Sequence, residues 1–267
     1  MDKKITIHDI AREAGVSSAT VSYIINGLHT EKYTEETKQK VLQIVNLYNY
    51  KPNTFAKTLR ATPNSKLISL YSGNSGNSLY DGEFGYFIEN LRKVFPSDKY
   101  GLVLNGLPYR QLDNNVDAII AFNIDRESFK TIGNLNYAPL IAVDCVVKDS
   151  LFFQITTDYA KLKYEADNYF NGTYEYITLL PADESIKKTI QSIFSNVTFI
   201  STLSDLRIIN DKKNILSDSK VIADYLLNTS TDVYFPKNLV ADKCKHILSC
   251  LNEATQRISF TVHNFEV

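Results

Sequence analysis

Several small or polar residues near the N terminus share one side of a predicted helix. Val21, Ile24 and Ile25 recur at helical spacing and form its apolar side. The opposite side carries Ser18, Ala19, Ser22 and Tyr23. Small polar side chains on such an exposed helix face can exchange hydrogen bonds with a partner surface.

The flanking residues predict a helix-turn-helix. Thr6 precedes a first helix, with Asp9 at the capping-box spacing in place of Glu. Gly15 tolerates the left-handed conformation that ends a helix, and Ser17 is a suitable N-cap for the next one. Thr34 is placed to cap a third helix. The apolar residues expected to form a small core are Ile7, Ile10, Ala14, Val16, Val21, Ile24, Ile25, Val41, Ile44, Val45 and Tyr48. The second helix of this motif enters the major groove.

The charge is distributed unevenly along the 267 residues. Residues 1–62 carry nine Lys/Arg and six Asp/Glu, a net charge of +3, whereas the remainder carries −4. A basic head on an acidic body favours a polyanionic partner for the head alone. An asymmetry of this size also occurs on ordinary solvated surfaces, so it supports the helix-turn-helix prediction without replacing it.

No targeting or membrane segment is expected. The N-terminal sequence MDKKITIHDI contains no long apolar run, and no stretch approaches the ~20 apolar residues of a membrane helix. The cysteines Cys145, Cys244 and Cys250 cannot form a disulfide framework. We therefore predict a cytoplasmic protein without membrane contact and with buried free thiols.

Two constellations that suggest an enzyme or a metal site are set aside. Cys244, His246 and Cys250 lack the paired spacing of four zinc ligands, so core thiols are the preferred interpretation. The glycine-rich run 72–82 follows a predicted strand but lacks both phosphate-loop patterns. We predict no catalytic residue, no metal, no cofactor and no enzymatic activity.

From Lys66 onward, predicted strands alternate with predicted helices. The strands are predicted at residues 66–72, 100–106, 117–123, 139–144, 152–157, 174–180, 197–201, 232–235 and 258–262. The helices are predicted at residues 84–95, 126–135, 159–170, 185–194 and 238–253. This alternation predicts an open, mostly parallel sheet covered on both faces. Ligands of such sheets bind at the carboxyl ends of the strands.

The head resembles the lactose/galactose-repressor (LacI) family along IHDIAREAGVSSATVSYIIN, residues 7–26. The segment YKPNTFAKTLR, residues 50–60, resembles the hinge of that family. The resemblance implies base-reading positions at Ser18, Ala19 and Tyr23. It implies contacts to the DNA backbone from Ile7, Ser17, Thr20, Ser22, Asn26 and Thr34. Tyr23 stands where Arg or His is frequent, so the guanine contact of Arg is absent.

The hinge resemblance implies a further DNA contact. Asn53, Ala56 and Leu59 match a helix that folds on operator DNA and inserts a leucine into the minor groove, as apolar wedges do. Tyr50, at the start of the same motif, is a further candidate DNA-binding residue. Three alternatives stay open in the head and hinge. Ser17 and Thr34 are either caps alone or caps that also contact phosphate, Tyr23 alternatively covers the head's core, and Leu59 alone is an apolar residue on a short amphipathic helix.

The same resemblance implies the organisation of the whole chain. We expect an all-α helix-turn-helix head at residues 1–50, a hinge with a hinge helix at 51–65, and an α/β body of parallel sheets at 66–267. The body resembles periplasmic sugar-binding proteins, with lobes at about 66–155 and 156–267, the second shortened and the final crossover absent. Residues 232–238 and 258–267 resemble later strands of the second lobe.

The family's effector-binding residues are incompletely matched in the body. Lys187 and Lys188 are the cations nearest to the position of the family's Arg, and Lys237-Asn238-Leu239 replaces its Asn-Asp. Asp158 and Asn238 are the candidate effector-binding residues, and capping of strand ends is their structural alternative. The helix predicted at 84–95 is either a dimer interface, by resemblance, or a helix packed on the sheet.

The leading hypothesis is therefore a transcriptional repressor that binds double-stranded, palindromic operator DNA as a homodimer, because single recognition helices usually pair on half-sites. The alternatives are a sensor whose sugar or other small-molecule effector tunes DNA binding, and a degenerate regulator that needs no effector. An enzyme acting on a sugar- or nucleoside-like substrate is disfavoured, because acidic and metal-ligand clusters are missing.

Overall fold

The head is a bundle of short helices around its own core. The computed structural model describes residues 7–25, 29–48, 65–74, 76–105, 116–136, 138–149, 152–209, 213–226, 231–256 and 263–267. The helices of the head are α1 (Ile7–Ala14), α2 (Ser18–Ile25) and α3 (Glu35–Leu47). Gly15 has a φ of 72°, so the chain reverses between α1 and α2 without strain. The predicted helix-turn-helix is confirmed.

The largest sheet of the body is parallel at every described strand pair. Within the described residues it has six strands in the order β10-β5-β4-β3-β1-β2. These strands are β1 (Lys66–Ser72), β2 (Tyr100–Asn105), β3 (Ala118–Phe122), β4 (Leu140–Val143), β5 (Phe153–Thr156) and β10 (Asn264–Glu266). The central strands are buried on both sides, which explains their continuous apolar runs.

Helices cover both faces of this first sheet. On one face lie α4 (Ser78–Val94) and α9 (Leu239–Gln256), which share a core cluster with β1 and β3. On the other face lies α5 (Arg126–Leu135), which buries Phe129 and Ile132. Together these elements form the first lobe.

A second, smaller sheet forms the core of the second lobe. Its described strands are all parallel and follow the order β7-β6-β8-β9. They are β6 (Glu175–Leu179), β7 (Val197–Ile200), β8 (Asn214–Leu216) and β9 (Asp232–Tyr234). The helical segments of this lobe are α6 (Tyr159–Phe170), α7 (Glu184–Ile193), a 3-10 segment (Leu203–Ile209) and α8 (Lys220–Leu226).

The last elements of the chain belong to the first lobe. The expectation that the second lobe extends to residue 267 is wrong, because α9 packs on the first sheet and β10 pairs with β5, Phe265 opposite Ile155. The expected absence of a final crossover is also wrong, because the chain returns from β9 in the second lobe to α9 in the first lobe. Residues 258–262, which were predicted as a strand, lie outside the described residues. The structure describes only the residues that follow them, 263–267. An apolar run identifies a strand but not the sheet that the strand joins.

Other boundaries differ for local reasons. The predicted helix at 84–95 begins earlier, at Ser78, because Asn77 caps it by accepting a hydrogen bond from the N–H of Leu79 at 3.1 Å. Part of the glycine-rich run at 72–82 is therefore helical. The short elements β8 and α8 were not predicted. No helix in the described part of the chain is long and apolar enough to cross a membrane.

Candidate nucleic-acid interface and inter-lobe cleft

The N-terminus of α2 is fixed by its cap. The hydroxyl of Ser17 accepts a hydrogen bond from the N–H of Thr20 at 3.0 Å, and its carbonyl accepts one from Val21 at 3.1 Å. Val21 is fully buried in the head's core, which orients the helix. The opposite face, with Ser18, Ala19, Ser22 and Tyr23, is half-buried or exposed. This face carries no charged residue.

Polar neighbours surround the start of α2. The Ser18 hydroxyl lies 3.0 Å from Nδ1 of His8 on α1, and the Ser17 and Thr20 hydroxyls lie 2.9 Å apart. Ile7 packs against the head's core. Hydroxyl groups at this helix start are therefore clustered on one surface, together with the positive end of the α2 dipole.

The segment between α2 and α3 folds back onto Tyr23. The rings of Tyr23 and His29 meet edge-on, with centroids 4.6 Å apart, and the Lys32 ammonium lies 5.3 Å from the Tyr23 centroid. Nδ1 of His29 lies 3.2 Å from the Glu31 carboxylate. A backbone hydrogen bond within Glu31, followed by the hydrogen bond from His29, lowers the pKa of that exposed carboxyl.

Thr34 caps α3 as predicted from the sequence. Its hydroxyl accepts a hydrogen bond from the N–H of Thr37 at 3.2 Å. The preceding residue, Tyr33, packs against the head's core. Thr34 and Tyr33 thus fix the place at which the folded-back segment ends.

The two lobes of the body face each other across a small cavity of about 80 Å³, which we call the inter-lobe cavity. It lies where strands of both sheets end, as expected for parallel sheets. Asn123 follows β3 and Asp144 follows β4, with left-handed φ values of 46° and 52°. Strained backbone of this kind costs free energy and is concentrated at functional sites.

A buried ion pair occupies the wall of the inter-lobe cavity. The Lys243 ammonium, on α9, lies 2.7 and 2.8 Å from the two carboxylate oxygens of Asp144. Lys243 is only 5% exposed. Asp218, from the second lobe, lines the same cavity and interacts electrostatically with this ammonium. Its carboxylate accepts a hydrogen bond from the Thr178 hydroxyl at 2.6 Å. One ammonium is therefore shared electrostatically between carboxylates of both lobes.

Glu83 of α4, in the first lobe, forms hydrogen bonds with the second lobe. Its carboxylate accepts hydrogen bonds from the Ser219 hydroxyl at 2.7 Å and from the backbone N–H groups of Lys220 and Val221 at 3.2 and 3.3 Å. Burial nevertheless raises the pKa of Glu83. This carboxylate therefore caps α8 from across the cleft.

Further hydrogen bonds join the lobes directly. Tyr80 donates from its hydroxyl to the carbonyl of Leu180 at 3.0 Å, and the Asn123 side chain accepts from the N–H of Ala182 at 3.1 Å. Leu79 and Tyr80 also pack within the apolar core of the second lobe. Hydrogen bonds and apolar contacts within the chain thus hold the two lobes together around the cavity.

Comparisons with known proteins agree with this architecture. The family model described as "Bacterial regulatory proteins, lacI family" matches residues 6–53. Over these residues the head is similar to the lacI family of bacterial regulatory proteins. Catabolite control protein A of Streptococcus mutans is 36% identical over 103 residues, which cover 39% of this chain and 29% of that protein. The sucrose operon repressor of Pediococcus pentosaceus is 28% identical over 168 residues, 58% of this chain and 48% of that protein.

The match to each of these two relatives therefore spans less than half of the relative's length. A solved LacI family transcription regulator from Clostridium acetobutylicum aligns with 76% of this chain and 97% of its own, with a TM-score of 0.52 and 12% identity. This likeness concerns the fold alone. The body thus has the two-lobed, periplasmic-binding-protein-like α/β fold that the resemblance implied.

Within the head, eight of the predicted DNA-binding residues lie in the part of the chain that the structure describes, and each of them is half-buried or exposed. Those within the described residues are Ile7, Ser17, Ser18, Ala19, Thr20, Ser22, Tyr23 and Thr34. The others, Asn26, Tyr50, Asn53, Ala56 and Leu59, lie outside the described residues. The sequence reasoning missed His29 and Lys32.

The structure also brings the candidate effector residues together, but outside the inter-lobe cavity. Asp158 and Asn238 line a separate cavity of about 350 Å³, with Lys161 and Lys237. The Asp158 carboxylate caps α6 by accepting from the N–H of Lys161 at 2.9 Å. Asp158 therefore caps a helix and not a strand end, and a binding role for either residue stays a prediction.

The cysteines on α9 lie inside the first lobe. Cys244 and Cys250 are buried in its core, and burial raises the pKa of each thiol to about 12. Among the residues that the structure describes, no group of three His, Cys, Asp or Glu side chains is arranged to hold a metal ion. The interpretation of Cys244 and Cys250 as core thiols is consistent with these positions.

The inter-lobe carboxylate Asp218 predicts a specific pH dependence of stability. Burial raises its pKa, against the opposing effects of the Thr178 hydroxyl and Lys243. Its contribution to stability is thus complete below the unfolded-chain pKa of about 3.9 and is lost as the pH rises through the folded value. We expect D218N to gain stability relative to wild type as the pH rises from about 4 to 7, measured by urea unfolding.

Asp205 supplies a control of opposite sign. Backbone N–H groups of Ser201 and Thr202 lower its pKa, so its contribution is present at neutral pH and is lost as the pH falls. D205N should therefore lose stability relative to wild type over the same rise in pH. Parallel pH profiles for D218N and wild type would contradict the raised pKa of Asp218.

Proposed function

We propose that the protein is a sequence-specific DNA-binding transcriptional regulator, a repressor that binds a palindromic operator as a homodimer. The observation that carries this proposal is α2, whose uncharged face of small hydroxyl residues and Tyr23 points away from the head's core. A capped helix with such a face suits the major groove. The sucrose operon repressor among the relatives supports repression as the mode of action.

The proposal extends to the hinge and to the domain boundaries. Residues 51–65 connect the head to the body, and Leu59 enters the minor groove at the centre of the operator. The proposal places the protein in the cytoplasm and assigns it no enzymatic activity, because the matched relatives carry the names of regulators.

The deciding experiment is selection from a random pool of duplex DNA by the purified protein, followed by sequencing of the retained molecules. We expect an enriched palindrome whose half-sites are about one helical turn apart. Affinity for it should fall steeply with salt, since phosphate contacts release counterions. Retention without any enriched sequence would reject operator-specific binding.

The hinge assignment makes a separate prediction. L59A should lose preference for the selected palindrome over random DNA by about tenfold or more, while its binding to random DNA persists through phosphate contacts. Competition binding measures both quantities. L47A, which truncates an exposed leucine on α3, is the control and should keep the preference. Equal preference in L59A and wild type would remove Leu59 from the operator contact.

A second candidate function is a sensor whose ligand changes operator affinity. The cavity of about 350 Å³ that contains Asp158 and Asn238 favours this candidate, because its size falls in the range of small-molecule sites. A sugar or other metabolite that binds there should raise the melting temperature and shift the operator affinity by a coupling free energy. D158A and N238A would each abolish both effects.

A further inference from the structure

A cation from another segment lies beside the recognition face of α2. α2 itself contains no charged residue, and two other cations of the described head are engaged in ion pairs: Arg12 with Asp9 and Lys38 with Glu35. Lys32, by contrast, lies over the ring of Tyr23. The centroid distance of 5.3 Å is within the range of about 6 Å in which cations interact with aromatic rings.

A second contact holds the same ring from its side. The His29 ring meets Tyr23 at 4.6 Å and 63°, close to the edge-on arrangement that aromatic pairs prefer. Tyr23 is thus contacted by a ring and by an ammonium, both from the segment that follows α2. We call His29 and Lys32 the Tyr23 clamp.

Local geometry explains why the clamp is in place. His29 adopts a left-handed conformation with a φ of 53° and starts a 3-10 turn, Thr30–Lys32, in which the N–H of Lys32 donates to the His29 carbonyl at 2.9 Å. One turn of this helix brings His29 and Lys32 to the same side. Tyr33, packed on the core, anchors the end of the turn.

A carboxylate also lies beside the clamp. The Glu31 carboxylate is 3.2 Å from Nδ1 of His29, and it interacts electrostatically with Lys32 as well. The Lys32 ammonium lies over the Tyr23 ring. A tyrosine has two side-chain torsions, and contacts on its face and edge restrict both of them.

We propose that His29 and Lys32 are specificity-determining positioning residues, which hold the Tyr23 ring in one orientation and thereby set the base preference at the position that Tyr23 reads. This inference rests on the proposed function, because it presupposes that α2 enters the major groove. It assigns to the segment after α2 a role in reading DNA sequence and not only in connecting two helices.

The test is the same selection from a random pool, applied to full-length variants. Y23A first identifies the base pair in each half-site whose preference depends on Tyr23. H29A and K32Q should each flatten the preference at that base pair by about tenfold, the discrimination that about 1.4 kcal/mol supplies. H29F keeps an aromatic edge and K32R keeps a cation, so both should retain the preference.

K40Q is the matched control, because Lys40 is an exposed lysine on α3 and its loss removes the same charge. It should leave every base preference unchanged. Thermal unfolding of each variant reports on folding, and the exposed positions of His29 and Lys32 predict unchanged melting temperatures.

Two results would overturn the inference. One is an unchanged preference in H29A and K32Q at the base pair that Y23A identifies. The other is a uniform loss of affinity in K32Q with a smaller salt dependence, which would make Lys32 a phosphate contact. If the wild-type protein enriches no palindrome at all, the proposed function fails, and this result is distinct from both.

Discussion

Replacing Lys243 with alanine is expected to lower the free energy of unfolding by about 3–5 kcal/mol, because removal of one partner leaves a buried charge uncompensated. The Lys243 ammonium is paired with both oxygens of Asp144 and also interacts electrostatically with Asp218. Its loss would leave two carboxylates, one from each lobe, without their common cation. Denaturant unfolding followed by circular dichroism measures the change.

Lys245 provides the control on the same helix. It pairs with Asp242 at 2.7 Å, but its side chain is 67% exposed, so K245A should change stability by less than about 1 kcal/mol. The double variant D144N/K243M removes both charges and should recover part of the loss, since an apolar replacement of a buried pair is often tolerated. If K243A and K245A are equally stable, the Lys243–Asp144 ion pair beside the inter-lobe cavity does not contribute to folding.

Gly73→Ala is expected to destabilise the body by about 3 kcal/mol, the upper range for overpacking a core. Gly73 follows β1, and a Cβ at this position would lie 2.0 Å from the carbonyl oxygen of Asn123. That oxygen belongs to the backbone after β3, so β1 and β3 would have to separate at the edge of the inter-lobe cavity. Urea unfolding and the midpoint of thermal unfolding both report the effect.

Gly85→Ala tests the same substitution where space is open. Gly85 lies within α4, is exposed, and has no atom within 4 Å of an added Cβ. Alanine there should stabilise the protein by about 0.5–1 kcal/mol, because glycine is unfavourable inside a helix. A stable, cooperatively folding Gly73→Ala variant would contradict the close approach of β1 and β3.

Elements with strong periodicity could be predicted from the sequence. The helices at 126–135 and 159–170 have the predicted bounds, and most predicted strands agree within a residue or two of their ends. These segments have a single interpretation, because their apolar residues repeat at one period and their ends carry caps such as Asp125. The head could be predicted for the same reason, with Gly15, Ser17 and Thr34 marking its helix boundaries.

The sheet partners of the last strands could not be predicted in this way. A parallel strand such as β10 is an apolar run whose neighbour in the sheet is set by the tertiary fold, not by its own sequence. β8 has three residues, too few for a periodicity to be visible. The early start of α4 could not be predicted, because its first turns contain Gly82 and Gly85, and glycine disfavours a helix.

Some residues that line the inter-lobe cavity could be predicted from the sequence, and others could not. Asp144 ends a predicted strand, and the rule that ligands bind at carboxyl ends of strands points to it. Lys243 lies in the middle of a predicted helix, where a lysine is ordinarily a solvated residue. Its burial depends on the packing of α9 on the first sheet, so its pairing with Asp144 follows only from the tertiary fold.

The second lobe is inserted in the sequence between two strands of the first lobe, and this insertion also determines the order in which the chain can fold. The second lobe is a continuous segment from α6 to β9, whereas β5 and β10, which pair in the first sheet, lie on either side of it in the sequence. During synthesis the head and the second lobe are complete before β10 leaves the ribosome. Until then the β5 edge of the first sheet is open to other strands. We therefore expect closure by β10 to be the slow, late step of folding and the stage at which aggregation competes.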